Sequence, residues 1–128
     1  GVHTCALPIY IFNVNLAAMA AGEACMDNLD DCRVIFKKLT DTRDWLTAEL
    51  AKIPGFKPIP SQANFVMVDV KDSGKTATQC VDYLLEMGFF VRSFAKKAGL
   101  EPDTHFRISV GLPEDMQELV DHMKKFVG

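Results

Sequence analysis

An α+β fold is predicted for this chain: an N-terminal helical arm, then a small domain with helices packed on one face of a sheet. Three observations predict it. Cys32, Ile35, Leu39, Thr42, Leu46, Leu50 and Ile53 recur at spacings of three and four, as one face of a helix requires. Residues 64–70 and 106–110 alternate in the two-residue rhythm of half-buried strands. Two further helix-spaced stretches follow those strands, so the order after residue 60 is strand, helix, strand, strand, helix.

Residues 1–9 (GVHTCALPI) differ in character from the rest. They resemble one reading frame of a common sequencing-library adapter, departing at His3, and are set aside as one sets aside a fusion scar. Residues 1–11 are therefore expected to be a non-native or loop segment. Residues 12–26 open on a polar turn signal and continue as an alanine-rich helix, alanine being the best helix former. Asp27 or Asn28 is expected to cap the next helix, with acids in its first turn. That amphipathic helix is about six turns long and ends at Pro54-Gly55. The helical arm thus covers 12–53 and the small domain 54–128.

Pro58 and Pro60 mark an extended approach to the first strand, Asn64 to Val70, where Val66, Val68 and Val70 face opposite to Phe65 and Met67. Asp72-Ser73-Gly74 is a turn that also offers a cap. A helix follows with Ala77, Cys80, Val81, Leu84 and Leu85 on one face, and Gly88 stands where a left-handed cap belongs. Phe89 to Arg92 is predicted as a short strand, 93–104 as a polar loop, and Phe106 to Val110 as the last strand. Pro113 opens the final helix, whose core face is Met116, Leu119, Val120, Met123, Phe126 and Val127.

The chain has 128 residues, 48% apolar and 24% charged, with net charge −3, which suits one domain, or a small domain plus an arm. No basic run suggests nucleic acid, no apolar run is long enough to span a membrane, and no signal peptide is evident. The cysteines, Cys5, Cys25, Cys32 and Cys80, form no CxxC pair. They are expected to be reduced thiols in a cytoplasmic protein, with Cys25, Cys32 and Cys80 as small core residues and no metal site.

In the last strand Phe106, Ile108 and Val110 share one face, which must meet the helices, so Arg107 points away from that core. Burying an arginine without a partner is costly, and its planar fork suits a carboxylate or phosphate. Arg92 closes the preceding strand, and the two arginines are a candidate anion pocket. Strand arginines are more often solvated or locally paired, so pattern alone gives this reading little weight. His105 and His122 read as ordinary residues, His122 on the solvent side of its helix.

The words Ser61-Gln62-Ala63-Asn64-Phe65, Gly88-Phe89-Phe90-Val91-Arg92 and Phe106-Arg107-Ile108-Ser109-Val110-Gly111 stand here in a particular order and spacing. Together with Phe12-Asn13-Val14-Asn15 ahead of the alanine-rich helix, they resemble the C-terminal part of fold-type I pyridoxal-phosphate-dependent aminotransferases, above all the histidinol-phosphate type. The resemblance runs from about residue 12 to the end. It implies that Arg107 binds the substrate carboxylate or phosphate end, that Arg92 is a second anion contact, and that Asn64 lies near the cleft. Asn13 and Asn15 rank below these. It further implies pyridoxal 5'-phosphate in the full-length enzyme, with the Schiff-base lysine and phosphate loop upstream. No lysine from Lys37 to Lys97 is convincing in that role, so no catalytic residue is assigned and the chain alone is expected to be inactive and to hold no cofactor tightly. Implied partners are an amino-acid or amino-alcohol phosphate substrate, 2-oxoglutarate, the N-terminal cofactor domain and a second subunit. One departure is Leu112, where the family usually has a helix-capping threonine. The alternatives are a threonine-phosphate decarboxylase, an aromatic aminotransferase or, in another class, a small ligand-binding regulatory α+β module, since fold alone does not fix function.

Overall fold

The computed structural model describes residues 14–128. The adapter-like segment, Cys5, Phe12 and Asn13 lie outside the described residues. Among the described residues, four helices and a four-stranded antiparallel sheet form an α+β architecture. The chain divides into two compact units between Ile35 and Phe36, inside the second helix.

In the first unit, helix α1 (Leu16–Asp27) begins at Asn15, whose side chain accepts the Ala18 N–H at 2.8 Å. None of its residues is buried. Asn28 caps the C-terminal end of α1 and its amide donates back to the Ala24 carbonyl. No backbone N–H of the following helix donates to the Asn28 or Asp27 side chain among the described residues, so neither caps it as expected. Helix α2 (Leu29–Leu50) does carry Asp30 and Asp31 in its first turn. Cys32 is half-exposed, and Cys25 and Ile35 are exposed. The expectation that Cys25 and Cys32 are core residues is thus corrected: the helical spacing is real, but nothing described covers that stretch.

In the second unit the same stripe becomes a core. Thr42, Leu46 and Leu50 of α2 are buried, and Ile53 follows in the turn after the helix ends. Strand β1 (Lys57–Ile59) is an addition to the expected elements, lying within the proline-marked approach. Proline gives no ladder N–H, which is tolerated at a sheet edge. β1 is such an edge, because the order is β1-β2-β4-β3, with β2 (Phe65–Asp69), β3 (Arg92–Ser93) and β4 (His105–Ser109). β3 begins only at Arg92, so of the strand expected over 89–92 the first three residues are irregular chain outside the sheet.

The register explains the layers. Val66 pairs with Ile108 and Val68 with Phe106, and all four are buried. Against this face pack Leu46 and Leu50 of α2, Ala77, Cys80 and Leu84 of α3 (Ala77–Glu86), and Met116, Leu119, Val120 and Met123 of α4 (Pro113–Val127). Burying one such side chain fully contributes about 1.5–3 kcal/mol relative to leaving it exposed. Leu85, expected on the core face of α3, is 47% exposed.

Helix α3 is bounded at both ends. Thr76, rather than the Asp72-Ser73-Gly74 turn, caps it through a reciprocal box with Gln79. Its last turn closes by Gly88 N–H to Leu85 O and Phe89 N–H to Leu84 O, with Gly88 at φ +90°. Gly55, at φ +78°, is equally constrained: a Cβ there would lie 2.3 Å from the Asp72–Ser73 backbone.

Candidate functional site

The face of the sheet turned away from the helices carries the two arginines. In β4, Phe106 and Ile108 enter the core, so Arg107 between them projects from the opposite face. Its register partners are Met67 on β2 and Arg92 on β3. The Arg107 guanidinium carbon stands 4.9 Å from the centroid of the Phe65 ring. Phe65 is two residues from Met67 on the same face of β2, a diagonal neighbour within reach of a long side chain. Such a cation–π contact contributes about 0.5–2 kcal/mol according to how dry it is. Arg92 is exposed, with its guanidinium carbon 5.7 Å from the Phe94 ring.

Two features make this face electrostatically incomplete. The Arg107 Nε atom is buried and has no hydrogen-bond partner among the described residues. A buried donor left unsatisfied costs about 1–3 kcal/mol, more when charged. Arg92 and Arg107 are also direct cross-strand partners, and like charges so placed are unfavourable. Neither arginine joins the ion pairs found among the described residues, whereas Arg33 pairs with Asp30 and Arg43 with Asp44. A bound carboxylate or phosphate would answer both deficits through charge-assisted hydrogen bonds.

Asn64 stands just ahead of β2, next to Phe65. Its carbonyl accepts the Val110 N–H at 2.9 Å, which extends the β2–β4 ladder, and the residue is exposed. Asn15 caps α1, in the first unit. His105 is half-buried, with Nδ1 2.6 Å from the Thr104 hydroxyl oxygen. His122 does not face open solvent as expected: its side chain is 21% exposed, 3.6 Å from Glu118 and against the rings of Tyr83 and Phe89. Phe65 and Phe94 were not singled out from sequence, because which ring underlies which arginine depends on register. Arg43 was also missed. It is buried and bonds Asp44 through Nε and Nη2, beside a cleft of about 330 Å³ lined by Thr47, Pro60, Ser61 and Gln62. Among the described residues no cluster of three metal-ligating side chains occurs, and no helix is long and apolar enough to cross a membrane.

A family model, aminotransferase class I and II, matches residues 6–123. The chain belongs to that family. It is 35% identical over 115 residues to a histidinol-phosphate aminotransferase of Roseiflexus castenholzii, covering 89% of this chain and 30% of that protein. It is also similar to the solved structure of a decarboxylase from Sulfurospirillum multivorans, with TM-score 0.78 and 26% identity, over 92% of this chain and 30% of the other. The histidinol-phosphate aminotransferase of Sinorhizobium meliloti, solved in complex with pyridoxal-5'-phosphate, matches with TM-score 0.68 and 28% identity over 86% of this chain and 29% of that one. The chain spans about 30% of the length of the curated relatives it matches. Family membership takes precedence over the regulatory-module alternative.

Pyridoxal phosphate, which the aminotransferase resemblance implies, needs a lysine amine free to condense with its aldehyde in a sheltered cleft. Lys37, Lys52, Lys57, Lys71 and Lys124 are paired with Asp41, Glu49, Asp72, Glu101 and Glu49 respectively. Lys75 lies over the Phe126 ring, and Lys38, Lys96, Lys97 and Lys125 are exposed. The described residues do not by themselves fit the cofactor.

Proposed function

We propose that this chain is the C-terminal, substrate-holding portion of a pyridoxal-phosphate-dependent aminotransferase that moves an amino group between histidinol phosphate and 2-oxoglutarate. The observation that carries the reading is the buried, unpartnered Nε of Arg107, whose guanidinium is held over Phe65 in register with Arg92. Arg107 would take the carboxylate or phosphate of the substrate, with Arg92 as a second contact and Asn64 at the rim. Fixing the anion fixes where the amine stands, and orientation of that kind removes part of the entropic barrier. The Schiff-base lysine and the phosphate-binding loop would belong to the rest of the protein, which would act as a homodimer in the cytoplasm, in histidine biosynthesis. On its own the chain would be inactive and would hold no cofactor through dialysis.

The assay is made on the complete gene product carrying this chain, supplied with 2-oxoglutarate and with histidinol phosphate or phenylalanine, and separately with phosphothreonine. Preferred turnover of histidinol phosphate supports the proposal. Carbon dioxide release from phosphothreonine with no amino transfer would instead establish the decarboxylase reading, which the Sulfurospirillum multivorans neighbour favours.

A further inference from the structure

Cys25 near the end of α1 and Cys32 in the first turns of α2 are brought together by the break at Asn28. Seven residues along an unbroken helix advance about 10.5 Å, too far for a disulfide, whose Cα atoms lie within about 7 Å. Asn28, at φ −126° and ψ 45°, interrupts that helix. Its N–H takes the Cys25 carbonyl at 3.2 Å, and the Cys32 Sγ donates to that same carbonyl at 3.6 Å. The Cys32 sulfur therefore lies against the backbone of the residue that bears the other thiol. Cys25 is exposed and Cys32 half-exposed, whereas Cys80 is buried.

We propose that Cys25 and Cys32 form a dithiol site that closes to an intramolecular disulfide on exchange with a low-molecular-weight disulfide such as oxidised glutathione. The steps balance. One protein thiol, having lost its proton to solvent, attacks a sulfur of the reagent, forming a mixed disulfide and releasing one small thiolate. The second protein thiolate attacks the protein sulfur of that mixed disulfide and releases the other small thiolate. Two protein thiols are oxidised and one reagent disulfide is reduced to two thiols. The second attack is intramolecular, so it outruns bimolecular competitors. A hydrogen bond with the Cys25 thiol, then partial burial, holds the Cys32 thiol above its ordinary range, so closure accelerates as pH rises. Cys80 stays apart, its thiol pushed up to about 11 by burial.

The test uses the chain carrying Cys5→Ser, which leaves Cys25, Cys32 and Cys80. After incubation with oxidised glutathione and alkylation, a protease cutting before aspartate cleaves at Asp27, Asp30 and Asp31, between the two thiols. The expected result is a cross-linked Cys25–Cys32 peptide pair in a monomeric chain, with Cys80 alkylated only after unfolding. In the same background Cys32→Ser should stop at a glutathione adduct on Cys25. Glutathione adducts on both cysteines without a cross-link, disulfide-linked dimers, or two free thiols after prolonged incubation with excess oxidised glutathione would each overturn the proposal.

Discussion

Leu112 immediately precedes α4, in the extended conformation of a helix cap (φ −65°, ψ 148°), and makes no side-chain capping bond. Pro113 in the next position spares one orphan donor, and Glu114 and Asp115 favour the helix N-terminus electrostatically. The missing hydroxyl is the remaining deficit. Leu112 is 60% exposed, so little packing is lost by replacing it. Leu112→Thr is expected to raise stability by about 0.5–2 kcal/mol, read as a shift in the urea midpoint without a change in slope. An unchanged or lower midpoint would mean that the α4 start is satisfied by other means. This deficit was legible in the sequence, because proline at the first helical position fixes which residue is the cap. The exposure of Cys25 and Cys32 was not: apolar spacing tells which side chains share a face, but not whether anything covers that face.

Among the elements, α3 shows where sequence reading succeeds and where it stops. Gly88 ends it and Ala77, Cys80 and Leu84 bury as their spacing requires. Its start, however, is also held by a residue 25 positions away: Asp103 Oδ1 accepts the Thr78 N–H at 2.8 Å and the Thr78 hydroxyl at 2.7 Å. Nothing in the polar loop 93–104 announces that contact, because it depends on how the loop returns to β4. Burial pushes the Asp103 carboxyl up, but the bonds from Thr78 and Thr76 outweigh this and leave it below its ordinary value. A lowered folded pKa contributes stability above the unfolded value of about 3.9 and loses it as pH falls through the folded one. Asp103→Asn keeps the left-handed conformation (φ 55°) tolerable while removing the charge. It is expected to cost about 0.3–1 kcal/mol at neutral pH and progressively less below pH 4. A cost independent of pH would show that the charge on Asp103 is not what holds α3. The edge strand β1 escaped sequence reading for a related reason, since Pro58 and Pro60 hide a strand whose pairing involves only one neighbour.

At the scale of the molecule, the α+β plan and the outward direction of Arg107 were legible because the two-residue period of β4 leaves one choice of face once Phe106 and Ile108 are buried. The partners of Arg107 were not legible. That Arg92 stands opposite it and Phe65 lies under it follows from the β2–β4–β3 register, which short strands do not declare. The division inside α2 was likewise hidden, because one apolar stripe runs through both halves while only Thr42, Leu46 and Leu50 have a core to enter.

The account turns on whether the Arg107 fork binds the substrate anion. The most direct measurement is kcat/KM of the complete gene product with histidinol phosphate for Arg107→Lys and Arg107→Ala, alongside thermal midpoints. Loss of a charge-assisted contact of about 2–5 kcal/mol predicts a fall of roughly one and a half to three and a half orders of magnitude for alanine. Lysine, which cannot grip through two parallel bonds, should recover only part of it. Equal kcat/KM for wild type and alanine variant, with both proteins folded, would contradict the account.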